Sequence, residues 1–331
     1  MGAGRATGPP PPPARATGPN RSIDFRTDSM TRRARNWLPG LLLVSPSILL
    51  VGVFVYWLIT KNVLTSLQRS TDFVTDRVIN PGGYRNYTQL LASSQYQHAL
   101  FNLLVLTVVF LAGTMAMGLL WSVLLERGVR GEGVFRSVYL FPMAVSFVAA
   151  GVVWRWLLSP AQGEGQAVGL NQLFIKLHLP GLQNGWWSAD SRFSMAAMAL
   201  PAIWQLSGYV MALFLAGFRG ISQDQREAAR IDGASEWQIY RHVLFPQLSP
   251  IALSALIIIG HQSMKMFDLI YSIAGPNSYK AEVPATLMWT QLFSKSDAQA
   301  AAVNATILLI LVAVVVVPYL VYTNKVEERS R

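Results

Sequence analysis

The sequence predicts an all-helical membrane protein with six transmembrane helices. Only 13% of its 331 residues are Asp, Glu, Lys or Arg, and 52% are hydrophobic, whereas an ordinary soluble domain carries roughly 25% charged residues. Six apolar runs, approximately 38–60, 99–125, 135–158, 193–218, 249–271 and 300–322, reach the ~20 residues a helix needs to cross about 30 Å of hydrocarbon. Lys and Arg are divided unevenly between the connecting segments. The tail 1–37, the loops 126–134 and 219–248 and the end 323–331 hold 16, and the three intervening loops hold 8. Positive segments resist translocation, so both termini and the 219–248 loop are expected in the cytoplasm.

Residues 1–36 differ from the rest. "GPPPPPARATGP" has no apolar periodicity and is expected to form a disordered cytoplasmic tail. Met30 opens "MTRRARNWLPG", a short basic lead into the first run, and is an alternative start of the chain. Residues 37–331 then form the transmembrane domain. The first run is too long and too far from the N-terminus for a simple signal peptide and is read as a retained helix. The second to sixth runs are each read as one span. In the third, Arg155 lies between Trp154 and Trp156 near the outer end, where snorkelling to the headgroups is expected. Many of the ten tryptophans, including Trp37, Trp186 and Trp187, suit interfacial anchoring.

The fourth and fifth runs are joined by a polar segment, 219–248, whose signals describe two short helices. Ser222 with Gln225, and Ser235 with Gln238, match the S/T-x-x-E/Q capping box. Between them Gly233 can take the left-handed conformation that ends a helix, and Pro246 limits the second helix. Trp237, Tyr240 and Leu244 form an apolar stripe, with Glu236, Arg241 and His242 elsewhere. Ala228 and Ala229 keep the first helix thin. On physics alone this hairpin is either a solvated connector or a docking element.

Glu-Ala-Ala, Gly six residues after the Glu and Pro thirteen further on resemble the EAA loop of binding-protein-dependent ABC importer permeases. "DGAS" fills the turn, Val243 takes the aliphatic position, and Phe245 stands where leucine is usual. "FRSVYLFPMAVSFVAAGVVWRWLLSP" (135–160), "MKMFDLIYSIAGP" (264–276) and "GYRNYTQLL" (83–91) are similar to the sugar-importing branch related to the maltose and glycerol-phosphate permeases. The resemblance implies a type I ABC importer permease fold with cytoplasmic coupling helices. It assigns docking on an ATPase to Glu227, Ala228, Ala229, Asp232, Gly233, Ala234 and Pro246. The implied partners are a second related permease, two cytoplasmic ATPase subunits and an extracytoplasmic solute-binding protein, with a sugar or related polyol as substrate. The implied location is the bacterial cytoplasmic membrane. The loop 61–98 is too short for the extra domain of some maltose-type permeases.

The sequence itself contains no G-x-x-x-x-G-K-[ST], so no phosphate-cradling loop is expected in this chain. ATP and Mg are expected on the partner ATPase, with no cofactor on this chain. Polar groups inside spans raise a functional hypothesis. The fifth run places His261, Lys265 and Asp268 at helical spacing, with Gln262 beside them. Lys265 and Asp268 either neutralise each other or border the translocation path. Trp204, Gln205 and Tyr209 in the fourth run and Asn304 in the sixth complete the substrate-path candidates, a mixture of rings and hydrogen-bonding groups suited to sugars.

Other chemistry finds little support. There are no cysteines, and His98, His178, His242 and His261 form no H-E-x-x-H pattern, so no metal site is expected. "GEGQAVG" at Gly163 lies in a loop without a preceding strand. The scattered basic residues make no nucleic-acid stripe. A membrane-embedded enzyme using His261 and Asp268 lacks an arguable catalytic geometry, and an importer for a non-sugar solute is the nearer alternative.

Overall fold

The computed structural model describes residues 42–330 apart from 72–76, 164, 189–192 and 277, together with Gly2 and Gly8, and side chains through residue 321. The tail expected at 1–36, with Met30, lies outside the described residues except for those two glycines. The chain divides into two units, Met1–Ile59 and Thr60–Arg331. In the first, residues 42–59 are helical with a π-helical turn at Gly52–Trp57. Their apolar side chains, among them Leu43, Phe54 and Trp57, are exposed, as a lipid-facing helix requires. The helix α1, Leu42–Ser66, runs six residues past the sequence-based limit at about 60.

In the second unit a short antiparallel pair, β1 (Ser70–Thr71) and β2 (Val78–Asn80), leads to α2 (Arg85–Ala92). The helix α3, Ser94–Glu126, starts where the Ser93 hydroxyl accepts from the Tyr96 amide at 3.2 Å. Its 33 residues extend about 50 Å at 1.5 Å per residue, longer than the hydrocarbon layer. It packs on α7, Ser194–Gly220, more extensively than any other pair of elements. Glycines make that approach possible. A Cβ on Gly113 or Gly118 would stand 2.4 Å from Ile203 Cδ1 or 2.6 Å from Val210 Cγ1. The helix α7 is central: 67% of its most apolar stretch is buried, against 28% in α3.

The third run is broken. The sequence reads 135–158 as one helix, but α4 (Glu132–Leu140) continues as a 3₁₀ turn, Phe141–Ala144, and then meets α5 (Phe147–Leu157). The two arms differ in direction by 97°. Pro142 opens the tight turn, and Ser146 restarts the chain as an N-cap, accepting from the Ala149 amide at 3.2 Å. Hydropathy does not register this change, because both arms remain apolar.

After α6 (Gly169–Lys176) and α7, the 219–248 segment forms α8 (Gln223–Ile231) and α9 (Glu236–Gln247). The fifth run is also divided. The helix α10 ends at Met264 after starting at Ser249, Lys265 to Phe267 are non-helical, and α11 spans Asp268–Ala274. It seats against α5 where Gly151 leaves room: a Cβ there would lie 2.5 Å from Ser272 Cβ. The chain closes with α12 (Pro284–Trp289), a π turn at Thr290–Ser294 and α13 (Ala298–Ser330), which carries Pro318 inside it. By length and composition the described helices make four spans, or six when each bent pair counts as one.

At the end of α3 remote from Glu126, buried amides tie the helices together. Asn102 donates to the Glu282 carbonyl at 2.7 Å and Asn304 to the Pro284 carbonyl at 2.9 Å. Glu282 is itself 4% exposed and accepts from Gln95 at 2.8 Å, while Lys295 donates to the same Gln95 at 3.2 Å. Burial pushes the Glu282 carboxyl above its ordinary range, against smaller downward pulls from Gln95 and Lys295. A raised carboxyl contributes stability that is complete below its ordinary value and is lost as pH rises through the raised one. Glu282→Gln keeps an acceptor for Gln95 and removes that loss. Its melting temperature in detergent is expected to exceed the parent's by about 2–4 °C at pH 7.5 and to match it near pH 4, on the scale of roughly 1 kcal/mol. An equal shift at both pH values would assign the effect to packing.

Candidate functional site

The hairpin of α8 and α9 is built by its turn. Gly233 has φ +80°, the left-handed conformation that glycine adopts without a Cβ penalty. Its amide donates to the Arg230 carbonyl at 3.0 Å, and the Ala234 amide donates to that of Ala229 at 3.0 Å, closing the first helix. Ser235 then opens the second with a complete capping box: its amide donates to Gln238 Oε1 at 2.8 Å, and its hydroxyl accepts from the Gln238 amide at 3.4 Å. The box expected at Ser222 does not form. Ser222 has N-cap backbone geometry without a side-chain cap bond. Gln225 instead accepts from Gln247 Nε2 at 2.7 Å, so it joins α8 to the end of α9.

Glu227, Ala228, Asp232 and Gly233 are all exposed, and Ala229 and Ala234 turn inward against the core. The thin alanine face is therefore shared: one alanine faces out and its neighbour seats the helix. The expected stripe is also split. Tyr240 and Leu244 are buried beside Ile239, whereas Trp237 is 65% exposed. Ile231, at 85% exposure, stands with Trp237 as an apolar side chain left in the open beside the turn. A groove of about 330 Å³ runs past Asp232, Gly233, Ala234, Gln238 and His242. Pro246 stands exposed near the end of α9 after a π-helical turn at Tyr240–Leu244, and the axis bends 63° into α10.

Two residues that sequence reasoning missed, Glu126 and Arg226, hold this hairpin to the body together with Tyr240 of the expected stripe. Glu126, the last residue of α3, pairs with Arg226 of α8 and accepts a hydrogen bond from the Tyr240 hydroxyl of α9. Arg226 also donates to the Phe218 carbonyl at 3.0 Å, and the Arg127 guanidinium lies 5.7 Å from the Tyr240 ring centre. Burial first, and then Glu126, push the Tyr240 phenol upward, so it remains a proton donor to the carboxylate. The sequence signal was only positional: an acid at the C-terminal end of one run and an arginine adjoining Glu227.

The substrate-path candidates do not converge. Gln205 is buried and donates to the Val145 carbonyl in the break of the third span, with its own Oε1 lacking a partner among the described residues. That amide supports irregular backbone which lipid would not satisfy. Trp204 is exposed beside Trp154, ring centres 6.2 Å apart, and Tyr209 is half-buried against the core. Asn304 is fully buried and donates to the Pro284 carbonyl and to Gln291 Oε1, with its own Oδ1 lacking a partner among the described residues. His261 and Gln262 are half-buried in the last turn of α10. The single helical face expected for His261, Lys265 and Asp268 does not exist, because α10 ends between His261 and Lys265 and Asp268 begins α11. Lys265 and Asp268 are exposed, and among the described residues no ion pair joins them. Arg155 lies 5.6 Å from the Trp187 ring centre, a cation–π contact in addition to its exposed position. The sequence also did not anticipate a line of four rings. Phe267, Tyr271, Trp289 and Phe293 follow one another at centre distances of 5.1, 4.8 and 5.4 Å. Three of them, Phe267, Trp289 and Phe293, border an apolar groove of about 360 Å³ with Asn62 and Thr65.

Comparisons with known proteins point one way. Residues 114–324 match the model of the binding-protein-dependent transport system inner membrane component family. The chain is 38% identical over 295 residues to a probable ABC transporter permease protein of Pyrococcus horikoshii, covering 87% of this chain and 97% of that one. It is 35% identical over 243 residues to a xylose/arabinose import permease protein of Haloferax volcanii, covering 72% and 74%. Among solved structures it resembles a chain of a bacterial alginate ABC transporter in complex with an alginate pentasaccharide-bound periplasmic protein. The TM-score there is 0.71 at 19% identity, covering 87% of this chain and 94% of that one.

Proposed function

The chain belongs to the family of binding-protein-dependent transport system inner membrane components, and from that premise we propose how it works as the permease subunit of an ATP-driven importer. It passes a sugar or related polyol across the cytoplasmic membrane, with both termini and the α8–α9 hairpin on the cytoplasmic side. A second related permease completes the pathway, two ATPase subunits bind the hairpins, and an external solute-binding protein delivers the substrate. ATP and Mg belong to the ATPases. The single observation that carries this reading is the hairpin itself. Its glycine turn and capping box hold Glu227, Ile231, Asp232 and Trp237 outward on a rigid element next to a groove.

Closure of the ATPases displaces the hairpin, and the spans convert that displacement into alternating access. Lys265 and Asp268, exposed at the break between α10 and α11, then face the pathway shared with the second permease. Sugar as the substrate class is supported by the relative named for xylose and arabinose import and by the line of four rings, since apolar sugar faces stack on aromatic surfaces.

Purification from native membranes in mild detergent tests the assembly, and uptake into proteoliposomes tests the substrate. We expect an ATPase and a second permease to accompany the chain, and ATP-dependent uptake that unlabelled pentoses, hexoses or oligosaccharides compete. A chain that purifies alone and transports without ATP overturns the importer reading. ATP-dependent uptake competed only by amino acids or ions overturns the sugar assignment alone.

A further inference from the structure

The hairpin that meets the ATPase must also pull on the spans, and its first helix has little of its own to pull with. No residue of α8 is buried. Its firmest attachment is the pairing of Arg226 with Glu126, whose side chains are 17% and 11% exposed. The other ion pairs of this region, Arg219–Glu132 at 48% and 26% and Arg230–Glu236 at 56% and 59%, are much wetter and contribute little. A shielded pair resists separation far more strongly, because parting it leaves an uncompensated charge. Glu126 also sits at the C-terminal end of α3, where the helix dipole disfavours a carboxylate. What compensates it there is Arg226 from one hairpin helix and the Tyr240 hydroxyl from the other.

We propose that Glu126 is a positioning residue for energy coupling: its carboxylate clamps both helices of the hairpin to the end of α3, so that hairpin motion moves the α3–α7 pair. Arg226 extends the clamp to α7 through the Phe218 carbonyl. One carboxylate thus joins four elements, and the rigid glycine-lined packing of α3 on α7 carries the displacement inward. The proposal rests on the importer reading above. It goes beyond docking, because Glu126 lies on the body of the chain and leaves the outward hairpin face untouched.

The test compares the intact complex in proteoliposomes carrying wild type, Glu126→Gln, Glu126→Ala, Tyr240→Phe and the exchange Glu126→Arg with Arg226→Glu. ATP hydrolysis and uptake are measured on the same vesicles. Glu126→Ala is expected to keep the ATPase bound and hydrolysis within about twofold while uptake falls roughly tenfold, with Glu126→Gln intermediate and the exchange regaining part of the loss. Tyr240→Phe alone is expected to lower transport per ATP about two- to threefold. Unchanged transport per ATP in both Glu126 variants overturns the proposal, as does an exchange no better than Glu126→Ala alone. If Glu126→Ala does not assemble, the isosteric Glu126→Gln decides on the same ratio. A wild-type chain that brings no ATPase with it overturns the importer reading as well, and that failure is distinguishable because no substitution is needed to see it.

Discussion

Replacing Gly233 by valine is expected to abolish ATP-dependent uptake and the co-purification of the ATPase, whereas asparagine at the same place keeps both within about threefold. The reason is the backbone. At φ +80° an ordinary L-residue is disfavoured by about 1–2 kcal/mol, a β-branched one by more, and asparagine by less than either. A Cβ at this position meets nothing within 4 Å in the chain itself, so side-chain volume within the hairpin plays no part. Valine tips the turn out of the left-handed region, which undoes the amide bonds to Arg230 and Ala229 and misaims the Ser235 cap. The two helices then no longer present Glu227, Ile231 and Trp237 on one surface. Equal failure of valine and asparagine would shift the explanation to the bare face of the glycine, with the ATPase seated directly on it.

Gly208→Ala is expected to lower the melting temperature in detergent by at least about 5 °C and to reduce the yield of assembled complex. A Cβ at Gly208 would stand 1.9 Å from the Tyr139 carbonyl oxygen and 2.7 Å from its carbon. Those are backbone atoms of α4 and have no rotamer to escape into, so one helix must move. Overpacking of this kind costs about 1–3 kcal/mol or more, which exceeds the 0.5–1 kcal/mol that alanine gains over glycine inside a helix. Gly217→Ala is the control on the same helix. Its Cβ would meet Ile251 Cδ1 at 2.5 Å and Leu248 Cδ2 at 2.6 Å, the far ends of flexible side chains, and a shift under about 2 °C is expected. Similar losses for both would show that helix crowding in general, rather than the α4 carbonyl, sets the cost.

Much of this protein was legible before its structure. The apolar runs marked where helices lie, and the hairpin signals at Gly233 and Ser235 operate as their chemistry requires. Those signals are local: a left-handed turn and a capping box involve residues within a few positions of each other. The Ser222 box failed because Gln225 found a partner in Gln247, twenty-two positions away, and short-range pattern has no access to such competition. Trp237 shares the apolar stripe of Tyr240 and Leu244 by spacing and yet stays exposed for a similar reason, since helical spacing shows which residues share a face and not which face the body covers.

What the sequence by itself determined was the mostly helical membrane character, the approximate runs and the turn and cap of the α8–α9 hairpin. Only the tertiary structure decided that the third and fifth runs are broken, that His261 is separated from Asp268, that Gln205 and Asn304 donate to backbone carbonyls, and that Glu126 meets both Arg226 and Tyr240. The physical reason is that hydropathy measures which segments leave water and is blind to the direction of the helix axis within them. A bend in a span is tolerated when its freed backbone groups find partners, and the Val145 carbonyl finds one in Gln205, sixty residues further along the chain.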